Sequence, residues 1–172
     1  NSIDLDVNVE EKSTGEFQVG LSFGSYEGAT LVTGLKEKNF GGTGRHLDLS
    51  INTSRDSTLY LFDITEPYIL NKKLSFIYGI NYAEEDFSTS ASYELSKFNT
   101  QTGFNYLLSE DLDHRIILEY SLKDYAVTNS STASSDIKSL EGGNAYIYLK
   151  NSFVYNNLNS FIRPTNGTYF KF

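Results

Sequence analysis

No cysteine occurs in this chain, so neither a disulfide framework nor a thiolate metal site can form, and the redox compartment goes unmarked. Only two histidines, His46 and His114, are present. They stand on separate predicted strands, outside any metal-ligand spacing, which points to structural or solvated roles. Cations are also scarce: 14 Lys and Arg stand against 22 Asp and Glu, a formal charge of -8. Without a basic stripe there is nothing to release counterions from a phosphate backbone, which excludes nucleic acid as a partner. No positively charged, apolar signal segment opens the sequence. No run reaches the roughly 18 apolar residues of a membrane helix, which excludes helical spans. A membrane barrel stays open, because its strands need only about 9 to 11 residues each and spread their hydrophobicity by alternation.

What the chain does have is aromatic residues in a polar background. Its 13 Tyr and 12 Phe make 15% of the residues, there is no Trp, and the mean hydropathy is -0.35. A sheet with an apolar outside and a wet inside has that composition.

Alternation supplies the elements. Phe17, Val19, Leu21 and Phe23 alternate with Gln18, Gly20, Ser22 and Gly24, and Leu47, Leu49 and Ile51 alternate with Asp48, Ser50 and Asn52. Both are strand periods. Between them, Asn39-Phe40-Gly41-Gly42-Thr43-Gly44 carries three glycines in four positions, where positive φ is free of steric cost, and reads as a tight turn between antiparallel strands. Further strands are predicted near residues 29–38, 45–53, 58–65, 73–83, 114–125 and 145–155, with one of up to about 20 residues ending near Leu108 and a last one beginning at Tyr169. Turns are expected at Ser25–Gly28, Ser54–Ser57, Glu66–Lys72, Glu84–Phe87, Ser109–Asp113 and Asn157–Gly167, and residues 127–143 form the longest loop. Pro67 marks a strand end, since proline cannot donate to a ladder. Within the fifth strand only Ile77 breaks the alternation. The expected fold is an all-β, antiparallel up-and-down sheet of eight complete strands and the start of a ninth, part of a larger barrel because such a sheet must close to lose its edges.

Enzymatic chemistry finds no support. The acidic runs Glu84-Glu85-Asp86 and Glu110-Asp111-Leu112-Asp113 lack the spacing of a calcium loop. Gly42-Thr43-Gly44 has neither the third glycine nor the helix of a phosphate loop, and no serine sits in a nucleophile elbow. Catalytic, metal and cofactor residues are therefore expected to be none. Tyr68, Tyr155 and Tyr169, near turns, are candidates for an interfacial girdle.

In order along the chain, Val7-Asn8-Val9-Glu10-Glu11-Lys12-Ser13-Thr14-Gly15, the alternating strand after it, Glu37-Lys38-Asn39-Phe40-Gly41-Gly42-Thr43-Gly44, Glu66-Pro67-Tyr68, Tyr155-Asn156-Asn157-Leu158 and Arg163-Pro164-Thr165-Asn166-Gly167 resemble the BamA-type outer-membrane assembly factors. The resemblance implies that residues 1–14 end a preceding periplasmic POTRA domain. Residues 15–172 are then the amino-terminal half of a barrel of about sixteen strands in the bacterial outer membrane. It implies an insertase without catalysis, in which Glu16, Phe17, Gln18, Val19, Gly20, Leu21, Ser22, Phe23 and Gly24 form one lip of a lateral gate. Asn39, Phe40, Gly41, Gly42, Thr43 and Gly44 become a periplasmic turn. The implied partners are unfolded outer-membrane clients, outer-membrane lipid and accessory lipoproteins. A TamA-like or other transporter or porin-type barrel is the alternative, and a soluble β-rich binding module a more distant one.

Overall fold

The computed structural model describes residues 14–24, 28–160 and 162–172. The segment expected to end a preceding domain, apart from Thr14, and most of the first loop, Ser25–Gly28, lie outside the described residues. Among the described residues, nine strands form a single antiparallel sheet in sequence order: β1 (Gly15–Gly24), β2 (Gly28–Phe40), β3 (Arg45–Thr53), β4 (Ser57–Glu66), β5 (Leu74–Asp86), β6 (Tyr93–Ser109), β7 (Leu112–Val127), β8 (Gly142–Asn156) and β9 (Tyr169–Lys171). Each strand pairs with its chain neighbours and the sheet is not closed, as an all-β half-barrel requires.

Alternation becomes two chemically distinct faces because the register keeps it in phase from strand to strand. One row runs through Phe17, Leu35, Leu49, Phe62 and Ile80, each directly opposite the next. The row next to it in sequence, on the other face, runs through Glu16, Lys36, Asp48, Asp63, Gly79, Gln101 and Glu119. On the apolar face, Tyr60–Tyr82, Phe62–Tyr78 and Phe76–Phe104 pack at centroid separations of 6.3, 6.4 and 5.5 Å. Such cross-strand pairs contribute about 0.2–1 kcal/mol each.

The rows also slide. Starting from Gly15 at the foot of β1, the pairing passes through Glu37, Leu47, Ile64, Tyr78, Thr102 and Leu118 to Leu149, well inside β8, which runs on to Asn156. That stagger is the shear that tilts strands in a barrel.

Several expectations need correction. Glu84, Glu85 and Asp86 are the last rungs of β5, opposite Ser96, Leu95 and Glu94, and the turn lies at 87–92. There the Phe87 carbonyl accepts from the N–H groups of Ser90, Ala91 and Ser92 at 3.2, 2.8 and 2.9 Å, and Ser92 takes φ 64°. β6 accordingly begins at Tyr93 and has 17 residues. β2 continues to Phe40 through a register shift between Glu37 and Phe40, so Asn39 and Phe40 belong to the strand and the turn proper is 41–44. The long polar loop contains one helical turn, α1 (Ser135–Ser139), whose first N–H groups are capped by the Ser134 hydroxyl accepting from the Ile137 N–H at 3.3 Å.

Ile77 is the misfit with a structural explanation. It lies on the polar face, 8% exposed, directly opposite Gly103, which in turn faces Ile117, 9% exposed. The missing side chain at 103 leaves room for two isoleucines to pack on that face.

A free edge strand and the turn at its foot

β1 is held on one side only. Every residue from Gly15 to Gly24 pairs with β2, and no described residue pairs with its other edge. Its apolar side chains are bare, as are Ile147 and Leu149 of β8 toward the other side of the sheet: Phe17 72%, Val19 63%, Leu21 71% and Phe23 80% exposed. A strand whose unpaired N–H and C=O groups form a row is a template for another strand. Gly20 adds nothing to packing, since a Cβ placed there would meet only the Val32 Cβ at 4.0 Å. The glycine leaves the polar side of β1 bare, without being required by any neighbour.

The foot of this strand is pinned to the glycine turn. The Thr14 hydroxyl donates to Glu37 Oε1, which also accepts the Asn39 N–H at 2.8 Å. Asn39 then organises the reversal, its carbonyl taking the Gly42 N–H at 2.9 Å and its Oδ1 the Gly44 N–H at 2.7 Å. Gly41, Gly42 and Gly44 all take positive φ, 66°, 72° and 76°, which residues with a Cβ rarely adopt. The Thr43 hydroxyl donates to the Phe40 carbonyl at 2.8 Å, and Arg45 Nε reaches Glu66 Oε2 at 2.5 Å, tying β3 to the end of β4. The six residues singled out in the sequence thus act together: they fix the β2–β3 register and, through Glu37, the start of β1.

The polar face is a lattice of paired groups. Lys36 meets Asp48 at 3.3 Å, the Gln101 amide donates to Asp63 at 3.3 Å, Asn99 donates to Asn81 at 2.7 Å, Lys97 donates to both oxygens of Glu85 at 2.8 Å, and Lys150 meets Glu119 at 2.5 Å. At the loop end, Arg55 binds Asp56 through two hydrogen bonds of 2.8 and 2.7 Å. Those bonds hold the Asp56 carboxyl below its ordinary range and raise Arg55 above its own.

His114 is structural, in a way its sequence position did not reveal. Its ring stacks on Phe153 at 4.0 Å and 6°, Nδ1 lies 2.5 Å from the Tyr106 hydroxyl, and Nε2 lies 3.3 Å from Asn151 Oδ1. Phe172 extends the column, 5.0 Å from Phe153. The signal was present as four ring-bearing residues of one strand phase, but only the register brings them into line. Tyr155 joins this apolar face opposite Phe170, whereas Tyr169 pairs with Asn156 on the polar side. Among the described residues, no group of three His, Cys, Asp or Glu could hold a metal ion.

A family model described as the Omp85 superfamily domain matches residues 39–172. The chain belongs to the Omp85 superfamily. The match begins at Asn39, the residue that organises the glycine turn. Among solved structures, the chain is similar to BamA from Haemophilus ducreyi lacking POTRA domains 1-3, at 23% identity and a TM-score of 0.68, over 94% of this chain. It spans 34% of that chain's length. The molecule is therefore a segment of an integral bacterial outer-membrane barrel: in an Omp85 barrel the apolar face of this sheet meets lipid and the polar face lines the lumen.

Proposed function

We propose that this Omp85 segment serves an outer-membrane insertase, with β1 as one lip of a lateral gate through which unfolded outer-membrane proteins pair with the barrel and enter the bilayer. What supports the reading is the Omp85 family match together with the place of β1, a ten-residue strand, apolar on its lipid side, that pairs only with β2 among the described residues and so turns its other edge to the seam of the barrel. Chain addition at such an edge draws affinity from main-chain hydrogen bonds and tolerates many client sequences. No catalytic group is needed. Residues 1–14 fit the end of a preceding periplasmic POTRA domain, and accessory lipoproteins of an assembly complex and outer-membrane lipid complete the set of partners.

The test is a disulfide in the full-length protein between β1 and the strand that closes the barrel against it. Locking that seam should stop client insertion while leaving the barrel folded, with recovery on reduction. A disulfide between Thr33 and Ile51, which face each other across β2 and β3, should be harmless because that pair need not part. Full insertion with the first seam locked would instead favour a passive transporter barrel.

The same reading fixes orientation. With the preceding domain in the periplasm, the turns at 41–44, 67–73, 110–111 and 157–168 face inward, and those at 54–56, 87–92 and 128–141 face the cell exterior. A cysteine at Asn129 should react with an impermeant thiol reagent in intact cells and one at Asp111 should not; the opposite pattern would invert the topology.

A further inference from the structure

We infer that the lumen wall formed by β6, β7 and β8 carries a binding site for an oxyanion, a phosphate or carboxylate group, bridging Lys97 and Lys123. The two lysines stand directly opposite each other in the β6–β7 ladder and face the lumen. Like charges in that position repel, and only one of the two is compensated. Lys97 is held by both oxygens of Glu85. Lys123 has no carboxylate partner among the described residues; its ammonium rests 5.1 Å from the centroid of the Tyr146 ring, a modest attraction at an open site.

The neighbouring acid cannot make up the difference. Glu119 is already engaged by Lys150 at 2.5 Å, and that pair, with Lys97 and Lys123, lines one open depression of about 360 Å³ over the buried Ser121. With Glu85 holding Lys97 and Glu119 holding Lys150, Lys123 is the one of the three lysines there without a carboxylate, in a chain whose formal charge is -8. The opposed acids on β3 and β4 show the contrast. Asp48 and Asp63 also face each other, yet Lys36 serves one and the Gln101 amide the other. An oxyanion between the two ammonium groups would turn their repulsion into attraction. The lysine pair sits one residue inside Ser96 and Asp124, toward the end that carries the loop with α1, so an anion would enter from there.

Thermal unfolding of the full-length protein tests this, with inorganic phosphate and a hexaglutamate peptide as separate probes against chloride at equal ionic strength. Phosphate stabilises proteins in general by exclusion from their surfaces, so the readout is the difference between variants. The wild-type protein should gain a saturable rise in Tm. Lys123→Gln should lose most of that rise and be the more stable of the two in chloride, because the repulsion with Lys97 is gone. Lys123→Arg should retain the rise, and so should Lys72→Gln, in a turn on the opposite end. The stronger probe identifies the source, a free or esterified phosphate or a polypeptide carboxylate. Equal shifts in wild type and Lys123→Gln with both probes would overturn the proposal.

Discussion

Leu49→Arg should cost the full-length barrel about 2–4 kcal/mol of stability in bilayers if residue 49 lies near the midplane, while Ser50→Arg costs much less. The two residues are adjacent on β3 and opposite in environment. Leu49 faces Leu35 and Phe62 on the lipid side, whereas Ser50 faces Gly34 and Leu61 on the lumen side. An arginine at 50 points its guanidinium into water beside a wall already rich in amides and carboxylates. At 49 it must snorkel to an interface or draw water into the hydrocarbon, and the penalty falls with distance from the midplane. Urea unfolding from lipid vesicles measures both variants; equal destabilisation would sink the face assignment, and a larger loss for Ser50→Arg would reverse it.

A second large effect is expected at Gly103. A Cβ there would press on the Ile116 carbonyl oxygen and lie 2.9 Å from the Ile117 Cα, both in the neighbouring strand's backbone. Backbone in the longest ladder of the sheet cannot shift without breaking rungs on both sides. Overpacking of this kind costs about 1–3 kcal/mol, and Gly103→Val should reach or pass the upper end. Gly20→Val is the matched control, because its Cβ has open space and a surface substitution without a packing conflict changes stability by less than about 0.5 kcal/mol. The same unfolding measurement separates them; comparable losses at both positions would remove the packing argument.

The elements that could be read in advance are those whose cause is local. Alternation in β1 and β3 and positive-φ glycines at 41, 42 and 44 depend on a few adjacent residues, and they emerge where the sequence places them. The errors occur where a distant partner decides. Glu84-Glu85-Asp86 looks like a solvated turn until Lys97, twelve positions on, neutralises Glu85 within the ladder. Ile77 looks like a break in the pattern until Gly103 makes room for it. His114 looks isolated until Tyr106, Phe153 and Phe172 reach the same row. Of the candidate site, the residues were legible and their coupling was not. Nothing in the spacing says that Asn39 would anchor the turn through two separate acceptors, or that Glu37 would connect that turn to the foot of β1.

The central claim is that the free edge of β1 pairs with a client strand, and site-specific disulfide trapping in the full-length protein tests it most directly. Single cysteines placed along Glu16–Gly24 are combined with single cysteines along a strand of a client arrested during insertion. Pairing as a strand predicts cross-links in one register, shifting residue for residue as the two positions are moved together, with none from cysteines in β8. Cross-links without a register, or none from β1 while the client inserts normally, would contradict the account.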